Sequence, residues 1–176
     1  ICIYKKYITQ YSFIGLFIIL VINFINNKVV DKSDIESNTK IPIIGYIGHN
    51  KEANNLLLFS QPKSLISEAF RAIRTNLQYL SHKEGCRTVM ITSSVGGEGK
   101  TFCSMNIASS YALLKKKTIL IGADLRKPRI FDDFGVNNNV GLSTLLIGKA
   151  SIAEATQKTS NAYLDLITSG PIPPNP

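Results

Sequence analysis

The run Ser93-Ser94-Val95-Gly96-Gly97-Glu98-Gly99-Lys100-Thr101 concentrates the residue types that hold a polyphosphate. Its glycines let the backbone curl until successive N–H groups point inward, and a helix opening at Lys100 adds the positive end of its dipole. Lys100 then supplies a point charge for the terminal phosphates. The Thr101 hydroxyl supplies a hard oxygen donor for Mg²⁺, a cation that keeps several of its waters. The residues Gly96, Gly97, Glu98, Gly99, Lys100, Thr101 and Phe102 are the candidate cradle. The Walker A pattern G-x-x-x-x-G-K-[ST] puts its first glycine at position 94, where this chain has Ser94. An apolar strand before the loop and a helix after it supply the context the pattern requires. A Gly-rich turn followed by a solvated lysine is the competing reading, and the density of Gly-Gly-Glu-Gly-Lys-Thr weighs against it.

A second candidate, Asp124, follows the apolar segment Ile119-Leu120-Ile121. Parallel sheets bind ligands beyond the carboxyl ends of their strands, so Asp124 is expected near the phosphates. There a carboxylate can hold a metal-bound water or accept the proton of an attacking hydroxyl. An ordinary turn or cap aspartate is the alternative, and the position one strand-helix-strand unit after the loop favours function. Lys100 and Asp124 are thus the candidate catalytic residues, and Thr101 and Asp124 the candidate metal ligands. Arg126, Lys127 and Arg129 follow; Arg126 can pair with phosphate, while the last two read as solvated loop charges. Lys115-Lys116-Lys117 closes the helix after the loop, where cations oppose the carboxyl-end dipole by ~0.3–1 kcal/mol.

The elements that must position these groups are legible by pattern. Arg87 to Thr92 reads as a buried strand, Lys100 to Leu114 as a helix and Thr118 to Ile121 as a second strand. Leu142 to Leu146 and Ile152 to Gln157 read as short helices, and Leu164 to Thr168 as a third strand. Ahead of them Ser64 opens a helix to about Leu80, with Ile66, Phe70, Ile73, Leu77 and Leu80 on one face. Alternation of this kind implies an α/β fold, a P-loop NTPase-like parallel sheet with flanking helices, incomplete within this chain.

The first 25 residues differ in kind. From Tyr7 to Ile25 nothing is charged and Phe13 to Ile22 is unbroken apolar sequence, close to the ~20 residues that span a bilayer. A signal peptide would show a small-residue cleavage site, and a buried soluble helix would be apolar along one stripe only, so a transmembrane helix is expected. The expected organisation is 1–27 as that helix, 28–63 as a juxtamembrane connector with an extended docking segment Ile41 to Ile47 (Pro42 favouring an edge), and 64–176 as the nucleotide-binding part. Lys5 and Lys6 on one side balance Lys28 and Lys32 on the other, so charge leaves orientation open. The nucleotide is cytosolic, which places the loop side in the cytoplasm.

The formal charge of +8 is scattered without aromatic interleaving, which argues against nucleic acid as a partner and for anionic lipid or phosphate. The three cysteines have no CxxC spacing, and His49 and His82 stand alone, so neither a zinc site nor a disulfide framework is supported. A first residue Ile1 and a Pro-rich end, Gly170 to Pro176, read as an excised piece of a longer protein.

With these residues in place the chain resembles the bacterial tyrosine kinases, or BY-kinases, that serve as polysaccharide co-polymerases in capsule and exopolysaccharide export. The likeness runs in order through the second membrane helix with its exit from Lys28 to Lys32, Ile41-Pro42-Ile43-Ile44-Gly45 and Glu68 to Leu77. It continues through the loop, Ala123-Asp124-Leu125-Arg126-Lys127-Pro128, Gly141-Leu142-Ser143 and Gly170 to Pro176. It implies phosphoryl transfer from ATP, with Mg²⁺, to tyrosine hydroxyls, in a protein of the bacterial inner membrane whose kinase part is cytoplasmic. It also implies that Glu68, Arg71 and Arg74, an E-x-x-R-x-x-R pattern lying off the apolar stripe, are free to join kinase domains into a homo-oligomeric ring that contacts the polysaccharide export machinery. Three departures stand out. Gly122 replaces the first of two aspartates usual in the second Walker motif, and Gly96 replaces the usual loop proline. The Mg²⁺-holding strand and the tyrosine-rich tail would lie beyond Pro176, so the fragment alone is expected to be inactive. A MinD- or ParA-type ATPase switch is the nearest rival, though its signature lysine is Val95 here; a catalytically silent nucleotide-binding co-polymerase subunit is the other.

Overall fold

The computed structural model describes residues 2–25, 29, 31–80 and 85–175, with side chains of the first helix from residue 10 onward. Lys5 and Lys6 as flanking charges, Lys28 in the exit segment, the expected boundary at 27/28 and His82 all lie outside the described residues or side chains. The chain divides into two units, Ile1–Ile43 and Ile44–Pro176.

The first unit holds α1 (Cys2–Ile25) and α2 (Lys32–Glu36), the latter opened by a capping box in which the Asp31 N–H donates to Asp34 Oδ2 at 3.0 Å. Large apolar side chains of α1 from Phe13 to Ile25 are exposed all round. Among the described residues, however, no helix is long and apolar enough to cross a membrane. The helix expected here is present, whereas the expectation that it spans a bilayer gains no support from the fold.

In the second unit, α5 (Lys100–Ala112) is the central piece, packed between α4 (Leu65–Leu80) and a sheet of three strands, β1 (Thr118–Ile121), β2 (Thr156–Lys158) and β3 (Leu164–Ile167). Ser64 caps α4, its hydroxyl accepting from the Ser67 N–H at 3.2 Å. Phe70 and Ile73 of α4 are buried as their spacing predicts, while Leu80 is exposed. On the sheet side Met105, Ala108 and Ala112 of α5 meet Leu120, Leu164 and Leu166. A helix covered on two sides needs small side chains. Ser109 and Ser110 supply them, both buried and both returning their hydroxyls to the carbonyls of Met105 and Ile107 at 2.8 and 2.6 Å.

Asn106 is fully buried and ties α5 to the chain around α3 (Leu57–Ser60). Its Nδ2 donates to Asn55 O at 2.7 Å and to Phe102 O at 2.9 Å, and its Oδ1 accepts from the Leu58 N–H at 3.4 Å. Nothing in the helical pattern marks this residue, since a polar side chain on a buried face is legible only once its partners are placed.

Three expectations are corrected. The sheet is mixed, in the order β1-β3-β2, with β1 and β3 parallel but β2 antiparallel to β3. The helix expected from Ile152 to Gln157 is α8, Ile152–Ala155, because Thr156 turns extended and its backbone enters the ladder opposite Ile167. Arg87 to Thr92 forms no strand and is largely exposed, Met90 at 84%. Strand formation needs a ladder partner, and none of the three strands pairs with it; β1 is hydrogen-bonded to β3 alone. The segment Ile41 to Ile47 likewise forms no strand.

The triple lysine lies just past α5, whose last turn holds no basic residue, so the expected pairing of cations with that turn is not seen. Lys115 stands in the left-handed region at φ 59°, where its N–H donates to Ala112 O and ends α5. Between β1 and β2 lie α6 (Ile130–Phe134), α7 (Leu142–Leu146) and α8.

Asn106→Ala is expected to lower stability by about 2 kcal/mol, because it leaves the buried Leu58 N–H and the partly buried Asn55 carbonyl without this partner. The measurement is a urea titration, with the midpoint falling at unchanged slope.

Candidate functional site

α5 begins without a side-chain cap: its N-cap is Gly99, at φ 86° and ψ 16°, and the first helical bond runs from Cys103 N to Gly99 O at 2.9 Å. The N–H groups of Lys100, Thr101 and Phe102 therefore have no helical acceptor and lie at the positive end of the dipole. Gly97, at φ 87°, and Gly99 bracket Glu98, and this double left-handed turn aims the loop into the helix. A Cβ on Gly96, Gly97 or Gly99 would meet nothing within 4 Å, so the loop has open space around these glycines. A phosphate chain fits that opening and those donors.

Lys100 and Thr101 are half-buried in the first turn of α5. Phe102 divides its roles: its backbone N–H faces the helix start, whereas its ring packs edge-to-face on Phe70 with centroids 5.5 Å apart and so anchors α5 to α4. Cys103, one residue on, is half-buried, and burial pushes its thiol up, so it remains protonated near neutrality.

α5 is joined to β1 by a short turn and packs back along it, so its amino end and the carboxyl end of β1 lie at the same edge of the unit. Asp124 follows β1 at that edge and is exposed. Its Oδ1 accepts from the N–H groups of Arg126 at 3.1 Å and Lys127 at 3.0 Å, which is the turn role weighed against function from the sequence. Among the described residues no cluster of three His, Cys, Asp or Glu side chains could hold a metal by itself. A hydroxyl at Thr101 and a carboxylate at Asp124 are hard donors of the kind Mg²⁺ takes when phosphate and water complete its shell.

Gly122 is buried beside β3: a Cβ there would lie 3.0 Å from Ser169 Oγ and 3.2 Å from Ser169 N. That backbone is held from the far side, because Leu142 N donates to Thr168 O at 2.8 Å and Ser143 N to Ser169 O at 2.9 Å. The same clamp includes Ser143 Oγ donating to Pro171 O at 2.8 Å, and Asn138 exchanging two 2.9 Å bonds with Gly170. Gly141 permits it, since a Cβ there would fall 2.4 Å from Thr168 O. Gly141-Leu142-Ser143 and the segment from Gly170 are thus partners across this clamp, a pairing invisible in a linear reading.

Glu68, Arg71 and Arg74 each have a partner within the chain. Arg71 pairs with Glu68 and donates to Pro62 O at 2.7 Å. Arg74 reaches across to α5, donating from Nη1 to Ser110 O at 2.8 Å, with its Nε buried. The sequence places these side chains off the apolar stripe correctly, but α5 comes close enough to take Arg74.

α5 thus starts at an uncapped Gly-Lys-Thr with the carboxyl end of β1 at the same edge of the unit, although the strand that the loop pattern asks for ahead of Ser93 is not formed. The comparisons bear on the family. Tyrosine-protein kinase YwqD of Bacillus subtilis (strain 168) is 46% identical over 122 residues, which is 69% of this chain and 52% of that protein. The crystal structure of the chimerical protein CapA2B2 superposes with a TM-score of 0.74 at 38% identity, over 82% of this chain and 62% of the other. The kinase domain of Escherichia coli tyrosine kinase ETK gives 0.66 at 34% identity, over 73% and 50%. No protein-family model matches. The chain belongs to the bacterial tyrosine-kinase family and spans about half the length of YwqD and of the ETK kinase domain.

Gly122→Ala is expected to destabilise the chain by about 1–2 kcal/mol through overpacking against Ser169. Pairing it with Ser169→Gly is expected to recover part of the loss in thermal melts, because the closer of the two contacts is removed.

Proposed function

We propose that this chain binds ATP with Mg²⁺ on the loop from Ser93 to Thr101 and forms the nucleotide-binding part of a protein-tyrosine autokinase. The observation that carries the reading is the uncapped start of α5, with Gly97 and Gly99 in the left-handed region and Lys100 and Thr101 in the first turn. Bound MgATP supplies the transferable phosphoryl group and the charge neutralisation that the transfer needs. In this reading the amides of residues 97 to 102 and Lys100 hold and orient the phosphates, Thr101 donates its hydroxyl oxygen to the metal, and Asp124 accepts a proton from the incoming hydroxyl or positions a metal-bound water. The engaged Oδ1 of Asp124 leaves its second oxygen for that task.

The finer assignments rest on likeness to the relatives. Capsule or exopolysaccharide biosynthesis is the proposed process, with the kinase part on the cytoplasmic face of the bacterial inner membrane. The exposed apolar surface of α1 is the proposed attachment to lipid. Glu68, Arg71 and Arg74 are proposed to meet a neighbouring copy in a ring by exchanging their internal partners for external ones, with the export machinery as a further partner. Two rivals keep a foothold. Gly122, where the second Walker motif usually has an aspartate, is compatible with a silent nucleotide-binding subunit, and the shared loop with an ATPase switch.

Isothermal titration is expected to detect MgATP binding that weakens roughly ten- to hundredfold in Lys100→Ala, the loss typical of a charge-assisted contact. Tyrosine autophosphorylation of the native protein, lost in the same variant, separates the kinase from its rivals. Nucleotide binding without phosphotyrosine would favour the silent subunit, and phosphate release without phosphotyrosine the switch. Absence of magnesium-dependent ATP binding would overturn the proposal as a whole.

A further inference from the structure

Glu98 holds the one carboxylate inside the loop, and its placement is unusual for a residue beside a helix start. A carboxylate one position before an N-cap would ordinarily turn to the free N–H groups of the first turn, where dipole and hydrogen bonds both favour it. Here α5 has no side-chain cap. Glu98 Oε2 instead accepts from Ser94 N at 3.0 Å and from Val95 N at 3.3 Å, at the opposite end of the loop. Ser93 Oγ donates to Val95 O at 2.7 Å, so the same peptide neighbourhood is held from its other side. The conformation that allows this comes from the glycines flanking Glu98, both at φ near 87°.

We infer that Glu98 is a positioning residue that ties the neck of the loop shut while leaving the amino end of α5 free for phosphate. The inference rests on the nucleotide-binding reading above and deepens it. The brace acts in two opposing ways. Two N–H groups donating to one carboxylate oxygen order the turn before ligand arrives, so less conformational freedom is lost on binding. The negative charge repels an incoming polyphosphate, so the brace and the charge pull affinity in opposite directions. A residue that merely fills space would show neither effect, and a residue that contacted phosphate through its carboxylate would be repelled without ordering anything.

Glutamine separates the two contributions, because its amide oxygen can accept the same two bonds without the charge. In the nucleotide-free chain, hydrogen exchange at the Ser94 and Val95 amides is expected to accelerate roughly tenfold or more in Glu98→Ala and to stay close to wild type in Glu98→Gln. In MgADP titrations Glu98→Ala is expected to weaken binding by roughly tenfold, and Glu98→Gln to restore it to the wild-type level or tighter. Wild-type exchange in the alanine variant, or equal loss of affinity in both variants, would overturn the inference. The exchange measurement uses no nucleotide, so it fails separately from the nucleotide-binding reading, which falls if wild type binds no MgADP.

Discussion

The start of α5 keeps its free N–H groups in one place only because the rest of α5 is immobilised. Its buried face is locked to Leu120, Leu164 and Leu166 of the sheet, its opposite side to Phe70 of α4 and its middle to the backbone of residues 55 and 58 through Asn106. Free N–H groups on a mobile helix would be solvated and spread over many positions. On a helix clamped from three directions they occupy one place, and the energy that fixes them comes from apolar burial and a buried amide far from the loop. A fully buried aromatic such as Phe70 contributes ~1.5–3 kcal/mol of this.

The same constraint explains the small polar residues of α5. Ser109 and Ser110 let helix and neighbours approach closely, and they satisfy their hydroxyls on the helix's own carbonyls, so closeness leaves no unpaired donor. It also explains why Arg74 does not stand clear on α4. With α5 this near, the Ser110 carbonyl lies within reach, and a guanidinium that docks there gains a bond to an otherwise under-used acceptor near the helix end. Any role of Arg74 toward a second copy would compete with that internal bond.

At the edge of the sheet the clamp between Gly141-Leu142-Ser143 and Thr168 to Pro171 does for β3 what α4 does for α5. It presses Ser169 toward Gly122, so any side chain at position 122 would crowd the backbone that follows β3. Asp124, two residues on, is thereby delivered to a tight turn at the loop-bearing edge, held by the backbone N–H groups of Arg126 and Lys127.

Local pattern alone determined the helices from Leu65 and from Lys100, the strands at Thr118 and Leu164, the glycine loop and the likeness to bacterial tyrosine kinases. These follow from short-range periodicity, turn chemistry and a motif whose spacing carries its own mechanism. Tertiary structure decided what depends on distant partners. The apolar run from Arg87 to Thr92 has strand-like composition yet no ladder, because pairing is a property of two segments. Thr156 to Lys158 became a strand because β3 was there to receive it. The Glu98 carboxylate and the Asn106 amide were indistinguishable in sequence from solvated or tolerated polar residues. Asn106 gains its role only because folding brings the backbone of Asn55 and Leu58 to its amide, whereas Glu98 reaches the nearby N–H groups of Ser94 and Val95 once Gly97 and Gly99 turn left-handed.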